Sequence, residues 1–325
     1  MAAGEKMPVI AFFWPEEDFR LSGVQPPEGY EMRFARGGDR AAMEAAVTGA
    51  DYLVAASGFG QIDRPLLERA PDLRLVQLTG AGYDTVDRAY CAERGIPACY
   101  CPGMNAPSVA QLAVLFALTL RRGHVRLEGG GREAWVAARQ GNLPGRELTG
   151  RVGIVGYGKI GRCAAQIFAG FGVEVVRLER KGQDDPNVPA LALDELLSTS
   201  DVVVVTLPAT AETRGLIDAR RVGLLKDDAV LVNVARGGIV DDAAVAAALA
   251  AGRLGGVGFD VFDEEPMRTD HPFLALPEDA RKRLILSPHI AGQAIDAKAR
   301  AFRFALDNVA RVARGEEPQG RVPAL

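Results

Sequence analysis

Cysteine is scarce in this chain. Four residues in 325 are too few for a disulfide scaffold and fit free thiols. Histidine is scarcer still, with three, so few side chains can exchange a proton near neutral pH. Charge of one sign is not in excess. The 38 Lys+Arg and 42 Asp+Glu leave a net charge of −4, without the polycationic signature of a partner for nucleic acid or anionic lipid. Long apolar runs are missing too. Residues 106–120 come nearest, but Ser108 and Gln111 interrupt them and they are too short to span a bilayer. The opening MAAGEKMPVIAFFWPEED has only a short apolar run between Glu5 and the acidic residues 16–18. It lacks the basic start and longer apolar stretch of a signal peptide. A hydrophobic fraction of 48% and a charged fraction of 25% exclude disorder, collagen and coiled coil. The expectation is a soluble, cytosolic protein without nucleic-acid or membrane partners, long enough for about two domains.

Apolar runs at 9–13, 52–56 and 73–78 read as strands, with an Ala-rich helical stretch around 41–47 among them. Residues 105–122 read as one long helix ended by Gly123, and 129–150 as a glycine-rich, charged stretch whose Trp135 is expected to pack. Further strands fall at 152–155, 173–178, 202–207, 230–234, 257–261 and 284–287. Helical patterns at 159–171, 194–197 and 243–251 alternate with them, and 297–314 closes as an amphipathic helix. This alternation signals βαβ units around parallel sheets. We place one domain at residues 1–104 and a second at 105–293, with the terminal segment 294–325 packing back on the first.

Gly156-Tyr157-Gly158-Lys159-Ile160-Gly161 is G-x-G-x-x-G, with an apolar strand before it and a helical pattern after it. The first glycine permits a tight turn, the second lets backbone approach a pyrophosphate, and the third lets helix and strand pack closely. The helix N-terminus then offers N–H groups to the anion. The following strand ends at Glu179, where an acid meets the ribose hydroxyls of a dinucleotide. Arg180 and Lys181 follow, so NADP stays open, while the acid favours NAD.

Hydride transfer to a carbonyl needs a proton donor, and His124, His271 and His289 are the candidates. His124 reads as a surface residue at a basic helix end and His271 as part of a polar loop. His289 follows a strand at its carboxyl end, where ligands bind in open parallel sheets. Arg236 stands at another such end, beside Gly237 and Gly238, and suits a bidentate grip on a carboxylate. Asp263, Glu264 and Glu265 each offer a carboxylate to orient the histidine. Cys99-Tyr100-Cys101 has no histidine cluster nearby and reads as structural thiols, so no metal is expected.

From about Asp51 to Arg311 the chain resembles the D-isomer-specific 2-hydroxyacid dehydrogenases. The resemblance rests on Thr79-Gly80-Ala81-Gly82-Tyr83-Asp84, the GYGKIG loop and Asn233-Val234-Ala235-Arg236-Gly237. It continues through Asp260-Val261-Phe262 with Glu265-Pro266, and Ser287-Pro288-His289-Ile290. It implies a doubly wound parallel-sheet, Rossmann-type cofactor domain plus a flavodoxin-like α/β substrate domain. It also implies an Arg236–Glu265–His289 triad, and its Glu-Pro motif selects Glu265. Backbone near Ala81 and Gly82 is expected to hold the substrate carboxylate, with Lys159 and Ile160 at the pyrophosphate. Leu207, Pro208 and Thr213 are expected at the adenosine half, Val234 and Asp260 at the nicotinamide side, and Asn105 at an interdomain hinge. The implied activity is hydride transfer between a nicotinamide cofactor and a small D-2-hydroxyacid or 2-oxoacid, by a homodimer. Two departures stand out: Gln111 where members often carry glutamate, and Glu179 where aspartate is commoner. A glutamate there is also similar to the phosphite dehydrogenase branch. The family's transcriptional corepressors share fold and triad but typically carry extra terminal segments. The short tail 315–325 favours an enzyme.

Overall fold

The computed structural model describes residues 7–57, 60–123, 129–140, 145–180, 182 and 184–323. The chain divides into two compact units, Met1–Asn105 with Gly292–Leu325, and Ala106–Ala291.

The first unit holds five parallel strands: β1 (Val9–Phe13), β2 (Glu31–Phe34), β3 (Tyr52–Ala55), β4 (Leu75–Leu78) and β5 (Ala98–Cys99). Their order is β2-β1-β3-β4-β5, the flavodoxin-like arrangement. Burial on both faces explains why β1, β3 and β4 read as apolar runs, whereas edge strand β2, EMRF, is half-buried to exposed. Val9, Ala11, Phe13, Leu53 and Val76 face one core, and Ile10, Phe12, Tyr52, Val54 and Leu75 the other. The helix Ile295–Ala313 covers the second face with Phe302, Ala305 and Val309. A buried amide pair pins it there: Asn308 Nδ2 donates to Gln77 Oε1 at 2.7 Å.

The second unit holds β6 (Arg151–Val155), β7 (Glu174–Leu178), β8 (Ala190–Leu191), β9 (Val202–Val205), β10 (Val230–Asn233), β11 (Gly256–Phe259) and β12 (Leu284–Leu286). All pair in parallel, in the order β12-β11-β10-β9-β6-β7-β8. This is the doubly wound Rossmann order with a seventh strand at one edge, and its order reverses between β6 and β9. The helix Ala106–Arg122 covers one face together with Lys159–Ala169. Asp242–Ala250 helps cover the other.

Several helices begin at an aspartate. Asp39, Asp63, Asp87, Asp218 and Asp241 each accept an N–H bond three residues on, relieving donors the first turn leaves unpaired. Among the described residues no helix is long and apolar enough to cross a membrane.

Two expectations are corrected. Residues 131–140 of the glycine-rich stretch form a helix, Gly131–Gln140, with no buried residue. Its Trp135 is 57% exposed rather than packed. The loop residue His271 is 6% exposed, because its ring is wedged among phenylalanines. Burial pushes the Cys91 and Cys99 thiols up to about 11 and that of Cys101 to about 12, which leaves them protonated and unreactive at neutral pH.

Candidate active site

The glycine loop leaves β6 at the point where the strand order reverses. Gly156 adopts φ +111°, and a side chain there would press on the Thr206–Leu207 backbone. Thr206 Oγ1 donates to the Gly156 carbonyl at 2.5 Å, tying the loop to the end of β9. A Cβ on Gly161 would lie 2.0 Å from the Gly156 oxygen, so only glycine lets the helix Lys159–Ala169 approach this closely. Gly158 faces open space and caps that helix without a side-chain hydrogen bond. The loop is therefore an open backbone cradle at a helix N-terminus, which fits a dinucleotide pyrophosphate. Lys159 is exposed and Ile160 half-buried beside it.

Glu179 follows β7 and is exposed, with its N–H held by the Leu191 carbonyl at 2.8 Å. Lys181 and His124 lie outside the described residues. Past β9, Thr213 Oγ1 donates to the Pro208 carbonyl at 2.7 Å and accepts the Thr210 N–H at 2.8 Å. That turn follows Leu207. Tyr157, which the motif counts only as a spacer, turns inward. Its hydroxyl donates to Asp185 Oδ2 at 2.8 Å, and Arg162 lies over its ring at 4.5 Å. Burial, helped by the Asp185 bond, pushes its phenol up to about 12.

The carboxyl ends of β10, β11 and β12 carry the other groups. Buried Asn233 shapes the turn after β10: Oδ1 accepts the Ala235 N–H at 3.1 Å, and Nδ2 donates to the Arg236 carbonyl at 3.2 Å. Arg236 is half-buried and its Nη1 donates to the Ala235 carbonyl at 2.8 Å. Val234 is buried behind it. Gly237 rests directly on the Phe262 carbonyl, where a Cβ would lie 1.9 Å away. The Arg236 turn and the 260–266 loop thus touch backbone to backbone.

Asp260, 1% exposed, holds the next turn. Its Oδ1 accepts Ser287 Oγ at 2.5 Å and the Ile290 N–H at 2.9 Å; its Oδ2 accepts the Ala291 N–H at 2.9 Å. The His289 N–H donates to the Asp260 carbonyl at 2.8 Å. This turn sets His289 at φ +53°, a conformation a non-glycine residue keeps only when its surroundings impose it. His289 Nδ1 is 2.6 Å from Glu265 Oε2, and Glu265 Oε1 accepts the Phe262 N–H at 3.0 Å. Nδ1 is thereby committed to the carboxylate, which leaves Nε2 for a reacting group. Burial pushes the Glu265 carboxyl up. The hydrogen bonds from His289 and Phe262, with the His289 and Arg236 charges, outweigh it and hold the carboxyl below the usual range.

The structure thus brings Arg236, Glu265 and His289 together in one unit with the glycine loop. Ala81 and Gly82 lie in the first unit, after β4. The Gly82 carbonyl there accepts Ser57 Oγ at 2.8 Å, and the Gly80 N–H donates to that same oxygen at 3.1 Å. Gln111 is exposed on its helix, and Asn105 Oδ1 is buried without a partner. Asn233, Asp260, Phe262 and Ser287 stand in the motifs that carry the resemblance, but the contacts by which they shape the site run across the fold, and the sequence did not show them.

A family model described as "D-isomer specific 2-hydroxyacid dehydrogenase, NAD binding domain" matches residues 114–291. The chain is 35% identical over 294 residues to D-3-phosphoglycerate dehydrogenase of Mycobacterium tuberculosis, covering 88% of this chain and 53% of that protein. It therefore spans about half the length of that relative. It is 33% identical over 280 residues to a glyoxylate reductase of Thermofilum pendens, covering 82% and 78%. Among solved structures it resembles an NAD-dependent formate dehydrogenase from Staphylococcus aureus in complex with NAD. The TM-score is 0.76 at 27% identity, covering 98% of this chain and 99% of that one.

Proposed function

The chain belongs to the D-isomer specific 2-hydroxyacid dehydrogenase family, and we propose that it transfers a hydride between NAD(H) and a small D-2-hydroxyacid or its 2-oxoacid. The observation that carries this reading is the 2.6 Å pairing of His289 Nδ1 with Glu265, which frees Nε2, together with the Arg236 charge acting on that same carboxylate. Arg236 grips the substrate carboxylate with its planar fork and draws electron density from the neighbouring carbonyl. His289 Nε2 donates a proton to the carbonyl oxygen on reduction and takes it back on oxidation. Glu265 keeps the ring oriented through its bond to Nδ1. When bound, the nicotinamide supplies the hydride in one direction and accepts it in the other.

In this reading, residues 105–293 bind the dinucleotide, while 1–104 completed by 294–325 bind substrate, with Asn105 at the hinge and backbone at Ala81 and Gly82 on the carboxylate. Gly156, Gly158, Lys159, Ile160 and Gly161 take the pyrophosphate. Glu179 takes the ribose and favours NAD over NADP, because a carboxylate repels a 2′-phosphate. Leu207, Pro208 and Thr213 border the adenosine half, and Val234 and Asp260 the nicotinamide side, where Asp260 acts through the turn it holds. The reading includes a cytoplasmic homodimer. The exposed apolar Leu115, Trp135 and Val136 support a covered surface.

A panel of 2-oxoacids of increasing side-chain size, assayed with NADH and NADPH beside phosphite with the oxidised cofactors, tests the reading. NADH-dependent reduction of at least one 2-oxoacid is expected, with R236K losing about tenfold or more in kcat/KM because lysine lacks the fork. No reduction of any 2-oxoacid would overturn it.

A further inference from the structure

A second carboxylate–imidazole pair lies behind the loop that carries Glu265. His271 Nε2 is 3.1 Å from Asp242 Oδ2, across 29 residues of sequence. Both side chains are largely buried, 7% and 13% exposed. His271 Nδ1 accepts the Phe273 N–H at 3.4 Å, which assigns the ring hydrogen to Nε2 and makes it the donor to Asp242. Asp242 opens the helix Asp242–Ala250, whose cap is Asp241, so the acceptor sits on a rigid element. Asp263, itself paired with Arg214 at 3.5 Å, faces it from the loop. Burial pushes the Asp242 carboxyl up to about 6 against the opposing hydrogen bond and charge of His271, and Asp263 and Asp241 push the same way as burial.

The imidazole is wedged between two rings. Phe273 lies on the core side at 5.1 Å and itself stands edge-on to Phe259 of β11 at 5.2 Å. Phe262 meets the imidazole edge-to-face at 5.6 Å and 81°. Phe262 is also the residue whose N–H holds Glu265 Oε1 and whose carbonyl Gly237 rests on. One residue therefore connects the buried pair to the turn of Arg236 and to the carboxylate on His289.

We propose that the Asp242–His271 pair is a positioning device for Glu265. It holds Phe262 where its N–H fixes the Glu265 carboxylate on His289 and its carbonyl braces the Arg236 turn. An apolar side chain at 271 would fill the same space. The hydrogen bond to Asp242 adds a fixed ring orientation, as partners behind a working histidine or carboxylate generally do. The kinetic consequence rests on the oxidoreductase reading above, whereas the geometry is measurable without it.

The test compares wild type, H271A and H271Q as full-length proteins. Hydrogen exchange at the Phe262 amide should speed up about tenfold or more in H271A. H271Q should restore it, because its amide can accept from Phe273 and donate to Asp242. In 2-oxoacid reduction H271A should lose about tenfold in kcat while KM for NADH stays within about twofold. Made in an E265Q background, the same substitution should cost less than about twofold, since residues that act as a unit are non-additive. Equal losses in the two backgrounds, or unchanged Phe262 exchange in H271A, would overturn the proposal. Absence of turnover in wild type would sink the oxidoreductase reading, and the Phe262 exchange would still decide the positioning role. D242A removes only the acceptor and carries the same comparisons if H271A does not fold.

Discussion

Three adjacent carboxylates show what decides a role at the scale of one residue. Asp263, Glu264 and Glu265 are chemically near-equivalent, and each stands within reach of a histidine by sequence alone. The fold separates them. Asp263 faces Arg214 at 3.5 Å, Glu264 faces Arg268 at 3.7 Å, and Glu265 meets His289 at 2.6 Å. Only Glu265 also accepts a backbone N–H from its own loop, and its carboxyl is held below the usual range despite burial. It therefore carries negative charge throughout the neutral range and accepts the His289 Nδ1 hydrogen as a carboxylate. E265Q removes that charge and keeps the shape. An amide accepts the Nδ1 hydrogen more weakly than a carboxylate, so the ring is held less firmly and kcat/KM should fall about tenfold or more in both directions. Steady-state kinetics of wild type and E265Q, in reduction and oxidation, check this; unchanged kcat/KM counts against the Glu265–His289 partnership.

Among the elements, the strand–loop–helix around β6 ties chemistry to packing most directly. Two of its glycines serve different ends. At Gly161 a methyl would meet the Gly156 carbonyl at 2.0 Å, whereas at Gly158 it would meet nothing within 4 Å. Gly158 also has an ordinary extended backbone, φ −80° and ψ −159°, which alanine adopts without strain. G161A should thus force helix and loop apart and cost about 1–3 kcal/mol, seen as a Tm lower by several degrees. G158A should leave Tm within about one degree while weakening NADH binding, because its methyl stands where backbone approaches the pyrophosphate. Thermal denaturation and NADH fluorescence titration of both variants separate the two roles. Equal stability losses would mean that the loop is held only by packing. The turn 287–291 is a parallel case: the carboxylate of Asp260 satisfies two backbone N–H groups and a hydroxyl there, and so sets where His289 points.

For the molecule as a whole, the glycine loop and the Arg236, Glu265 and His289 side chains all lie within Ala106–Ala291, which has a packed core on each face of its sheet. A segment with its own core folds by itself. Expressed alone, residues 106–291 should bind NADH within about tenfold of the full-length affinity and, on the proposed role of Ala81 and Gly82, reduce no 2-oxoacid. Fluorescence titration and a reductase assay on the fragment check both halves, and turnover by the fragment would remove the first unit from the substrate site. Much of this organisation was legible in the amino-acid order. Fully buried strands appear as apolar runs, and the glycine spacing of the loop obeys rules that involve only chain neighbours. Gly131–Gln140 was not expected because it is a polar helix with no buried residue, set in a glycine-rich stretch. The resemblance singled out Glu265, but composition and spacing alone left three carboxylates. Sequence by itself determined the parallel α/β architecture and the dinucleotide loop, since local periodicity and turn chemistry suffice for both. Tertiary structure alone decided that Asp242 meets His271, that Tyr157 turns inward to Asp185, and that Asp260 holds the His289 turn. Such pairings depend on where strand ends converge in space, and distance along the chain does not encode that.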